Sequence, residues 1–304
     1  MGALAGRVAI VTGAGRGLGR AHALLLAAEG ARLVVNDAGV AVDGEPSAES
    51  PAREVVEEIR RLGGEAVASE HDVAEWRGGQ ELVELALRTY GELHVLVNNA
   101  GILRDRALVN MSEQDWDAVM RVHLKGHFIP TRFAAAHWRA AAHAGTPVHA
   151  AIVNTTSTSG LQGNPGQAHY GTAKAGIAAF TIICAQELGR YGVRVNAVSP
   201  AARTRMTDTV ASLSELLAPP VDHQVFDVWD PANVSPLVAY LSSEGCPVTG
   251  EVFQVLGGRI QRFLPWSLGE GIERPGRWQI AELAAELPAL LGARAPGPGS
   301  LATP

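Results

Sequence analysis

Short apolar runs alternate with longer helical stretches along most of the chain. The runs predict strands at residues 8–12, 31–36, 66–69, 95–97, 150–155, 193–198 and 252–256. They are continuously apolar rather than alternating, which is typical of strands covered on both faces of a sheet. Helical patterns lie between them, as at 52–62 and 167–187. Strands separated by helices predict parallel βαβ units, and therefore an α/β protein with a doubly wound parallel sheet.

The length and composition fit one domain. With 304 residues, 47% of them hydrophobic, the chain can build one large core. We expect a single domain over residues 1–294, with a C-terminal extension from about residue 259. Residues 295–304 are rich in Pro and Gly, which predicts a flexible tail. Two stretches, 39–51 and 203–231, look irregular because Gly or Pro interrupts the periodic pattern.

Charge, cysteine content and hydropathy exclude several classes of protein. The formal net charge of −6 gives no electrostatic reason to bind nucleic acid. Cys184 and Cys246 lack metal-ligand spacing, which favours free thiols in a reducing compartment. The first strand begins almost at the N-terminus, so no signal peptide is expected, and no apolar run is long enough to span a bilayer. We therefore expect a cytoplasmic protein that binds a small-molecule substrate and neither nucleic acid nor a membrane.

A glycine-rich turn lies between the first strand and the first helix. Glycines there let the backbone turn tightly and approach a pyrophosphate, and the helix N-terminus supplies free N–H groups with a positive dipole end. This position within the chain predicts a dinucleotide-binding Rossmann fold. The residues expected at the cofactor are Gly13, Gly15, Arg16, Gly17, Leu18 and Gly19.

Asp37 closes the second strand, where a carboxylate can accept hydrogen bonds from the adenosine ribose. Its negative charge would repel the extra phosphate of NADP, whereas Arg16 could pair with that phosphate. We give Asp37 precedence because it would stand at the ribose itself, and expect NAD. The alternative for Asp37 is a turn or capping residue. Asp72 and Val73 follow the third strand, where Asp72 either reaches the adenine or caps the strand end.

Tyr170 and Lys174 lie four residues apart in a helical stretch, so both side chains leave one face. A nearby ammonium is expected to lower the pKa of the phenol, which could then exchange a proton with a carbonyl or alcohol oxygen. Ser157 follows the fifth strand and could polarise the same carbonyl. The three residues predict a catalytic set for hydride chemistry carried by a nicotinamide.

Other charged or metal-binding candidates keep two interpretations. His123 and His127 could share a metal, but no third ligand of matching spacing is apparent, so we expect no metal site. Residues 104–106 (Arg-Asp-Arg) either line the mouth of the site or form a solvated turn. Arg203 and Arg205 either meet a CoA phosphate or are surface charges.

Together these motifs resemble the classical short-chain dehydrogenase/reductase family. The resemblance covers residues 5 to about 258 and is carried by residues 12–19, Asp72, the Asn-Asn-Ala-Gly stretch at 98–101, Ser157, Tyr170, Lys174 and the Asn-Ala-Val-Ser-Pro stretch at 196–200. It implies that Asn98 lies along the adenosine ribose and that Lys174 also holds the nicotinamide ribose. It further implies cofactor contacts from Tyr170, Ala100, Gly101, Pro200 and Thr204.

Within that family, several stretches are similar to the (3R)-hydroxyacyl-CoA dehydrogenase unit of multifunctional β-oxidation enzymes. They are residues 36–37, 54–64, 98–106, 122–126 and 163–174. This resemblance implies NAD, a 3-hydroxyacyl thioester or hydroxysteroid-like secondary alcohol, and a homodimer or homotetramer. The family usually has Asn at the position of His123, where it shapes a proton-relay helix, so His123 joins the catalytic candidates.

Two alternatives to this function stay open. One is an NADPH-dependent 3-oxoacyl reductase, which would use the same fold and proton relay. The other is a dinucleotide-binding sensor without catalysis. A sensor needs the glycine turn but not the relay, so the presence of Ser157, Tyr170 and Lys174 speaks against it.

Overall fold

The computed structural model describes residues 2–41, 43, 50–203, 217–222 and 224–291. Contacts divide the chain into two units, Met1–Phe263 and Leu264–Pro304. Each unit is described by itself.

One sheet organises the first unit, and the residues described there supply eight strands to it. Their order is β3-β2-β1-β4-β5-β6-β7-β8, in which all neighbours are parallel except the antiparallel pair β7 and β8. The strands are β1 (Val8–Thr12), β2 (Arg32–Asn36), β3 (Glu65–Ser69), β4 (Val95–Asn98), β5 (Ala150–Thr155), β6 (Val193–Ala201), β7 (Val252–Leu256) and β8 (Arg259–Phe263). This order confirms the predicted doubly wound sheet.

Helices cover both faces of this sheet. They are α1 (Gly17–Ala28), α2 (Pro51–Arg61), α3 (Trp76–Tyr90), α4 (Glu113–Met120), α5 (Gly126–His143), α6 (Thr158–Leu161), α7 (Ala168–Leu188) and α8 (Ser235–Ser242). Short 3-10 turns occupy Leu108–Asn110, Gly189–Tyr191 and Pro231–Val234.

Successive residues of a strand point to opposite faces, and this divides the core into two layers. In β1, Ala9 and Val11 join the apolar cluster that contains residues of α1, α2 and α8. Val8 and Ile10 join the cluster that contains residues of α3, α5 and α7. All four side chains are fully buried, which explains why the strand sequence is apolar without alternation.

The helical stretch between β4 and β5 has an irregular turn inside it. Arg121–Lys125 form a π-helical segment between α4 and α5. Such segments insert one extra residue into a turn and are common at functional sites. The hydrophobic periodicity of the stretch contains no sign of it.

The sheet also has one strand more than the sequence predicted. Residues 259–263 were assigned to a C-terminal extension, but they pair with β7 as the antiparallel β8. The turn between the two strands includes Gly257, whose φ of +52° is left-handed. The side chains of β8 are largely exposed, so it lacks the apolar run that marks the other strands.

The second unit contains one described helix, α9 (Ile280–Leu291), with Pro288 inside it. Arg274 is paired with Glu282, which also accepts a hydrogen bond from the Gln279 N–H at the start of the helix. The predicted tail at 295–304 lies outside the described residues, so its flexibility stays a prediction.

The sequence predicts neither a membrane-spanning helix nor a metal site, and the described ranges bear on both expectations. No helix there is long and apolar enough to cross a membrane. Over the same ranges, no three His, Cys, Asp or Glu side chains come together as a metal site would require. Cys184 and Cys246 are both buried free cysteines.

Candidate active site

The candidate site lies at the carboxyl ends of the central strands. β1 is flanked by β2 on one side and β4 on the other, so the chain winds outward in opposite directions from this point. In an open parallel sheet, this reversal leaves a crevice above the strand ends, where ligands bind. The glycine turn follows β1, the Asn-Asn-Ala-Gly stretch ends β4, and Ser157 follows β5.

The glycine turn has the conformation that the sequence predicted. Gly13 has a φ of +61°, and a Cβ built on it would lie 2.7 Å from the Cα of Ala100. Only glycine therefore fits between the turn and the end of β4. Gly17 begins α1 and Gly19 is buried within its first turn. Arg16 precedes the helix in an extended conformation, and its side chain makes no capping hydrogen bond with the helix N-terminus.

Thr12 and Asn99 hold the turn in place, and the sequence reasoning did not single them out. The Thr12 hydroxyl accepts hydrogen bonds from the N–H groups of Asn99 (2.9 Å) and Ala100 (3.1 Å). The Asn99 side chain donates to the carbonyls of Thr12 and Gly13, both at 3.1 Å. Thr12 and Asn99 lie inside the motifs at residues 12–19 and 98–101, and this placement was the sequence signal for their role.

Asp37 lies directly beside the glycine turn. Its Oδ2 accepts a hydrogen bond from the Gly15 N–H at 2.9 Å, and its Oδ1 accepts one from the Gly39 N–H at 2.9 Å. The carboxylate therefore closes the end of β2 against the turn and is only partly buried. Leu18 packs against the apolar cluster of α1, α2 and α8, which anchors the first helical turn.

Asp72 and Val73 occupy the end of β3 as capping and packing residues. The Asp72 carboxylate accepts from the Ala74 N–H at 2.8 Å and pairs with Arg121 at 2.5 Å. Val73 is buried, and its Cγ2 would lie 3.2 Å from a Cβ built on Gly126. These contacts fit the capping alternative for Asp72, and its contact with an adenine stays a prediction.

Asn98 belongs to a buried polar network rather than to an open surface. Its Nδ2 donates to Thr131 (3.0 Å) and to Asn154 (2.9 Å), and Asn154 donates to Thr181 at 2.9 Å. This network joins β4 and β5 to α5 and α7. The whole residue is buried, and its contact with a ribose stays a prediction.

The remaining cofactor candidates lie near the same edge. Ala100 contacts the glycine turn as described above, and Gly101 is exposed, with His123 immediately beneath it. Pro200 lies in β6 and pairs with Val255 of β7. Thr204 is outside the described residues, so its contact with a carboxamide stays a prediction.

Ser157, Tyr170 and Lys174 are brought together by the packing of α6 on α7. A Cβ built on Gly160 would lie 2.4 Å from the Ala175 nitrogen, so glycine is needed for this close approach. Ser157 caps α6, and its hydroxyl accepts from the Ser159 N–H at 3.2 Å. The Lys174 nitrogen lies 5.6 Å from the centre of the Tyr170 ring.

Lys174 is fixed to the end of β5 by two hydrogen bonds. Its Nζ donates to the Thr155 carbonyl at 2.7 Å, and its own carbonyl accepts from the Thr156 hydroxyl at 2.6 Å. The residue is 2% exposed, and it has no carboxylate partner among the residues that the structure describes, which is rare for a buried lysine. Burial lowers the pKa of this amine from 10.5 to about 7.

The pKa of the phenol is raised rather than lowered, contrary to the effect expected from the ammonium. Burial is the main cause that raises the pKa of Tyr170 to about 12; the hydrogen bond with Ser157 lowers it, and the charge of Asp105 adds a smaller increase. Removing water penalises the charged form of each group, so the phenol holds its proton and the amine loses its own more easily. Spacing along the sequence indicates the attraction between the two charges but not this shared desolvation.

His123 lies against Tyr170 within the π-helical segment. The two ring centres are 5.1 Å apart and the rings meet edge to face at 89°. The His123 Nε2 is 2.7 Å from the Ile102 carbonyl, while Nδ1 has no partner among the described residues. Burial, and then the charge of Lys174, hold the pKa of His123 well below 6.5, so the ring is neutral. His127 is buried one turn later, and burial lowers its pKa to about 3.

The residues at this edge fit a dinucleotide. The uncapped N-terminus of α1 follows the glycine turn directly, as a pyrophosphate requires. Thr155 Oγ1 and Ser199 Oγ, at or near the carboxyl ends of β5 and β6, are buried and lack partners within the described ranges. Polar atoms left unpaired in this way cost free energy, and a polar ligand or water would satisfy them.

A parallel sheet with a glycine turn after β1 and a Ser, Tyr and Lys set beside it defines a nicotinamide-dependent oxidoreductase. A profile of the short chain dehydrogenase family matches residues 7–216. The chain is therefore a member of the short-chain dehydrogenase/reductase family, an oxidoreductase acting on CH–OH groups.

Individual relatives agree with this assignment. A hydroxyacyl-CoA dehydrogenase of Mycobacterium tuberculosis, ChsB1, is 44% identical over 292 residues, covering 93% of this chain and 88% of that protein. Peroxisomal multifunctional enzyme type 2 of Mus musculus is 42% identical over 261 residues, covering 86% of this chain and 33% of that protein. The crystal structure of a short chain dehydrogenase from Mycobacterium avium superposes with a TM-score of 0.88 at 51% identity, covering 99% of this chain and 100% of that one.

Replacing Lys174 by Met should change how stability depends on pH. The amine has a folded-state pKa of about 7 but stays protonated to about pH 10 when unfolded, so unfolding takes up a proton between these values. Wild-type stability therefore rises from pH 7 to pH 10, and the variant lacks this rise. We expect the difference in Tm, variant minus wild type, to be largest at pH 6–7 and to fall by roughly 5 °C or more towards pH 10.

Thermal denaturation followed by circular dichroism, without nucleotide, measures this difference. The control is Lys125→Met, which removes an exposed lysine and should give a difference that is flat across the same range. A flat difference for Lys174→Met would contradict the assignment of a buried, easily deprotonated amine.

Proposed function

We propose that this chain uses NAD(H) to interconvert a 3-hydroxyacyl thioester and its 3-oxo form. The observation that carries the proposal is the packing of the partly buried Tyr170 with the buried Lys174 beside Ser157, at the carboxyl edge where the glycine turn lies. A bound nicotinamide dinucleotide supplies the hydride acceptor or donor. The protein supplies the proton path, the orientation of the substrate and the exclusion of water.

Tyr170 is proposed as the acid and base, with its phenolic oxygen exchanging a proton with the substrate oxygen. Ser157 polarises the same carbonyl through its hydroxyl, which is supported by the hydrogen bond that links it to Tyr170. Lys174, held at the end of β5, lies behind the phenol and favours the phenolate when it is charged. His123 shapes the π-helical segment and packs its ring edge on Tyr170.

The pKa values favour a phenol that is ready to donate. With a pKa of about 12, Tyr170 is protonated at neutral pH, which is the state needed to reduce a ketone. Oxidation of the alcohol needs the phenolate, so its rate should increase as pH rises. The same site therefore serves both directions, with alkaline conditions favouring oxidation.

The choice of substrate rests on the relatives and on the resemblance described above. One relative is named as a hydroxyacyl-CoA dehydrogenase and another as a peroxisomal multifunctional enzyme. These names support a 3-hydroxyacyl-CoA ester ahead of a hydroxysteroid. The free, buried Cys184 and Cys246 support a reducing compartment, and we propose the cytoplasm.

A substrate panel tests the reaction and its residues together. We expect 3-hydroxyacyl-CoA esters to reduce NAD with a kcat/KM at least about tenfold above that of hydroxysteroids, followed by absorbance at 340 nm. Tyr170→Phe should lower kcat by about 100-fold or more while nucleotide binding, measured by fluorescence, is retained. A wild-type protein that binds nucleotide but turns over no member of the panel would favour the sensor. A preference for 3-oxoacyl substrates with NADPH would favour the reductase.

The Asp37 carboxylate is proposed to select NAD over NADP. It stands beside the glycine turn, where it would face the ribose hydroxyls, and its charge repels a 2′-phosphate. Asp37→Ala should lower the ratio of kcat/KM for NAD to that for NADP by at least about tenfold, which corresponds to about 1.4 kcal/mol.

The matched variant is Asp37→Asn, which removes the charge but keeps an oxygen that can accept from Gly15. If repulsion is the cause, both variants lose the preference. An unchanged ratio in both would exclude this role for Asp37, and a loss in the alanine variant alone would assign the effect to the geometry of the turn.

We further propose that the chain forms a homodimer or homotetramer through the outer face of α3, α5 and α7. Trp76, Phe128 and Ile183 on these helices are 48%, 42% and 52% exposed. The rings of Trp76 and Phe128 are 6.3 Å apart, and Phe128 is 6.5 Å from Phe180. A contiguous exposed aromatic surface is costly in a monomer, and a second copy would cover it.

Light scattering after gel filtration should give the mass of two or four chains. Ile183→Glu should shift the protein towards the monomer, because it places a charge in the proposed interface. Leu62→Glu, at an exposed apolar residue after α2, is the control and should leave the mass unchanged. A monomeric wild-type protein would overturn the proposal.

A further inference from the structure

The loop after β4 is hydrogen-bonded to the start of α7, the helix that carries Tyr170. Gln167 Nε2 donates to Asp105 Oδ2 at 2.7 Å, and the Arg106 N–H donates to the Gly166 carbonyl at 2.9 Å. Arg106 and Gln167 also form an isolated parallel bridge. We call residues 104–106 with 166–170 the loop–helix junction.

A fully buried histidine completes the loop–helix junction. His169 Nε2 is 2.8 Å from the Arg104 carbonyl, which can only accept, so Nε2 carries the proton. Nδ1 then accepts from the Tyr170 N–H at 2.7 Å. Both ring nitrogens are used, and the residue immediately before Tyr170 is fixed to the loop.

Only one of the two carboxylate oxygens of Asp105 has a hydrogen-bond partner among the described residues. Oδ2 accepts from Gln167, whereas Oδ1 is buried and has no hydrogen-bond partner among the described residues. Gln167 is itself held in place, because its Oε1 accepts from Asn164 at 2.9 Å. A buried carboxylate oxygen without a hydrogen-bond partner costs free energy, which a neutral apolar side chain at position 105 would avoid. The loop–helix junction therefore holds a carboxylate at a cost in stability.

We infer that Asp105 is a positioning residue for Tyr170, which fixes the start of α7 through its hydrogen bond with Gln167 and places a negative charge near the phenol. The inference rests on the proposed function of Tyr170 as the proton donor. It also gives residues 104–106 (Arg-Asp-Arg) a role at the site. Of the two interpretations that the sequence left open, it favours the mouth of the site over a solvated turn.

Other charged and polar groups surround Asp105 and Tyr170. Burial raises the pKa of the Asp105 carboxyl, while the hydrogen bond from Gln167 and the charge of Arg106 favour its charged form. Ser157, His123 and Lys174 face Tyr170 from α6, the π-helical segment and α7. Asp105 is the negatively charged group among them, so its removal should make the phenolate easier to form.

Two variants separate the charge from the hydrogen bond. Asp105→Asn removes the charge but keeps an oxygen that can accept from Gln167. In it, the pH at which alcohol oxidation reaches half its maximal kcat should fall by about half a pH unit or more, with the maximal kcat within about threefold of wild type. Gln167→Leu keeps the charge and removes the hydrogen bond, so kcat should fall without this shift in the profile.

Hydrogen exchange gives a readout that does not need nucleotide or turnover. In the free protein, amides of residues 166–171 should exchange about tenfold faster in Gln167→Leu and remain as in wild type in Asp105→Asn. Asp117→Asn, at an exposed aspartate on α4, is the control and should change neither measurement.

The outcomes distinguish this inference from the proposed function. If wild type is active and Tyr170→Phe is not, but Asp105→Asn keeps the wild-type profile, the charge role of Asp105 is wrong and the function stands. If Gln167→Leu leaves both kcat and exchange unchanged, the positioning role is wrong. If wild type turns over no substrate in the panel, the proposed function itself fails.

Discussion

The structure depends on packing a buried amine against a partly buried phenol at the end of a central strand. Within the described part of the chain, Lys174 has no carboxylate partner and instead donates to the Thr155 carbonyl, so β5 and α7 must keep a fixed separation. Burial lowers the pKa of Lys174 to about 7 and raises that of Tyr170 to about 12. A fold that opened at this point would let water restore both values, and the proton chemistry would change with it.

The surrounding elements can be understood as supports for that pair. Hydrogen bonds among Asn98, Asn154 and Thr181 join β4 and β5 to α7. The close contact at Gly160 brings α6, and with it Ser157, onto the same helix. The loop–helix junction fixes the first turn of α7. Thr12 and Asn99 perform the equivalent task for the glycine turn, so both halves of the site are anchored to β4 or its following loop.

This arrangement fits what the family does, because hydride transfer and proton transfer must occur at neighbouring atoms. In the proposed function, the glycine turn positions one reactant and α7 positions the proton donor, and the rigid sheet sets the distance between them. The features that would distinguish this chain within its family lie around that frame. They include the charge of Asp37 at the turn, the charge of Asp105 at the loop–helix junction, and the buried ring of His123 in the π-helical segment.

The sequence by itself determined the parallel α/β architecture and the membership of Ser157, Tyr170 and Lys174 in one site. Continuous apolar runs report burial on both faces, and the spacing of Tyr and Lys fixes a shared helix face. Only the tertiary structure decided the antiparallel β8, the π-helical segment at 121–125, the roles of Thr12 and Asn99, and the direction of the Tyr170 pKa. The physical reason is that these features arise from contacts between distant segments, and desolvation depends on everything that surrounds a group, whereas local spacing reports only its neighbours along the chain.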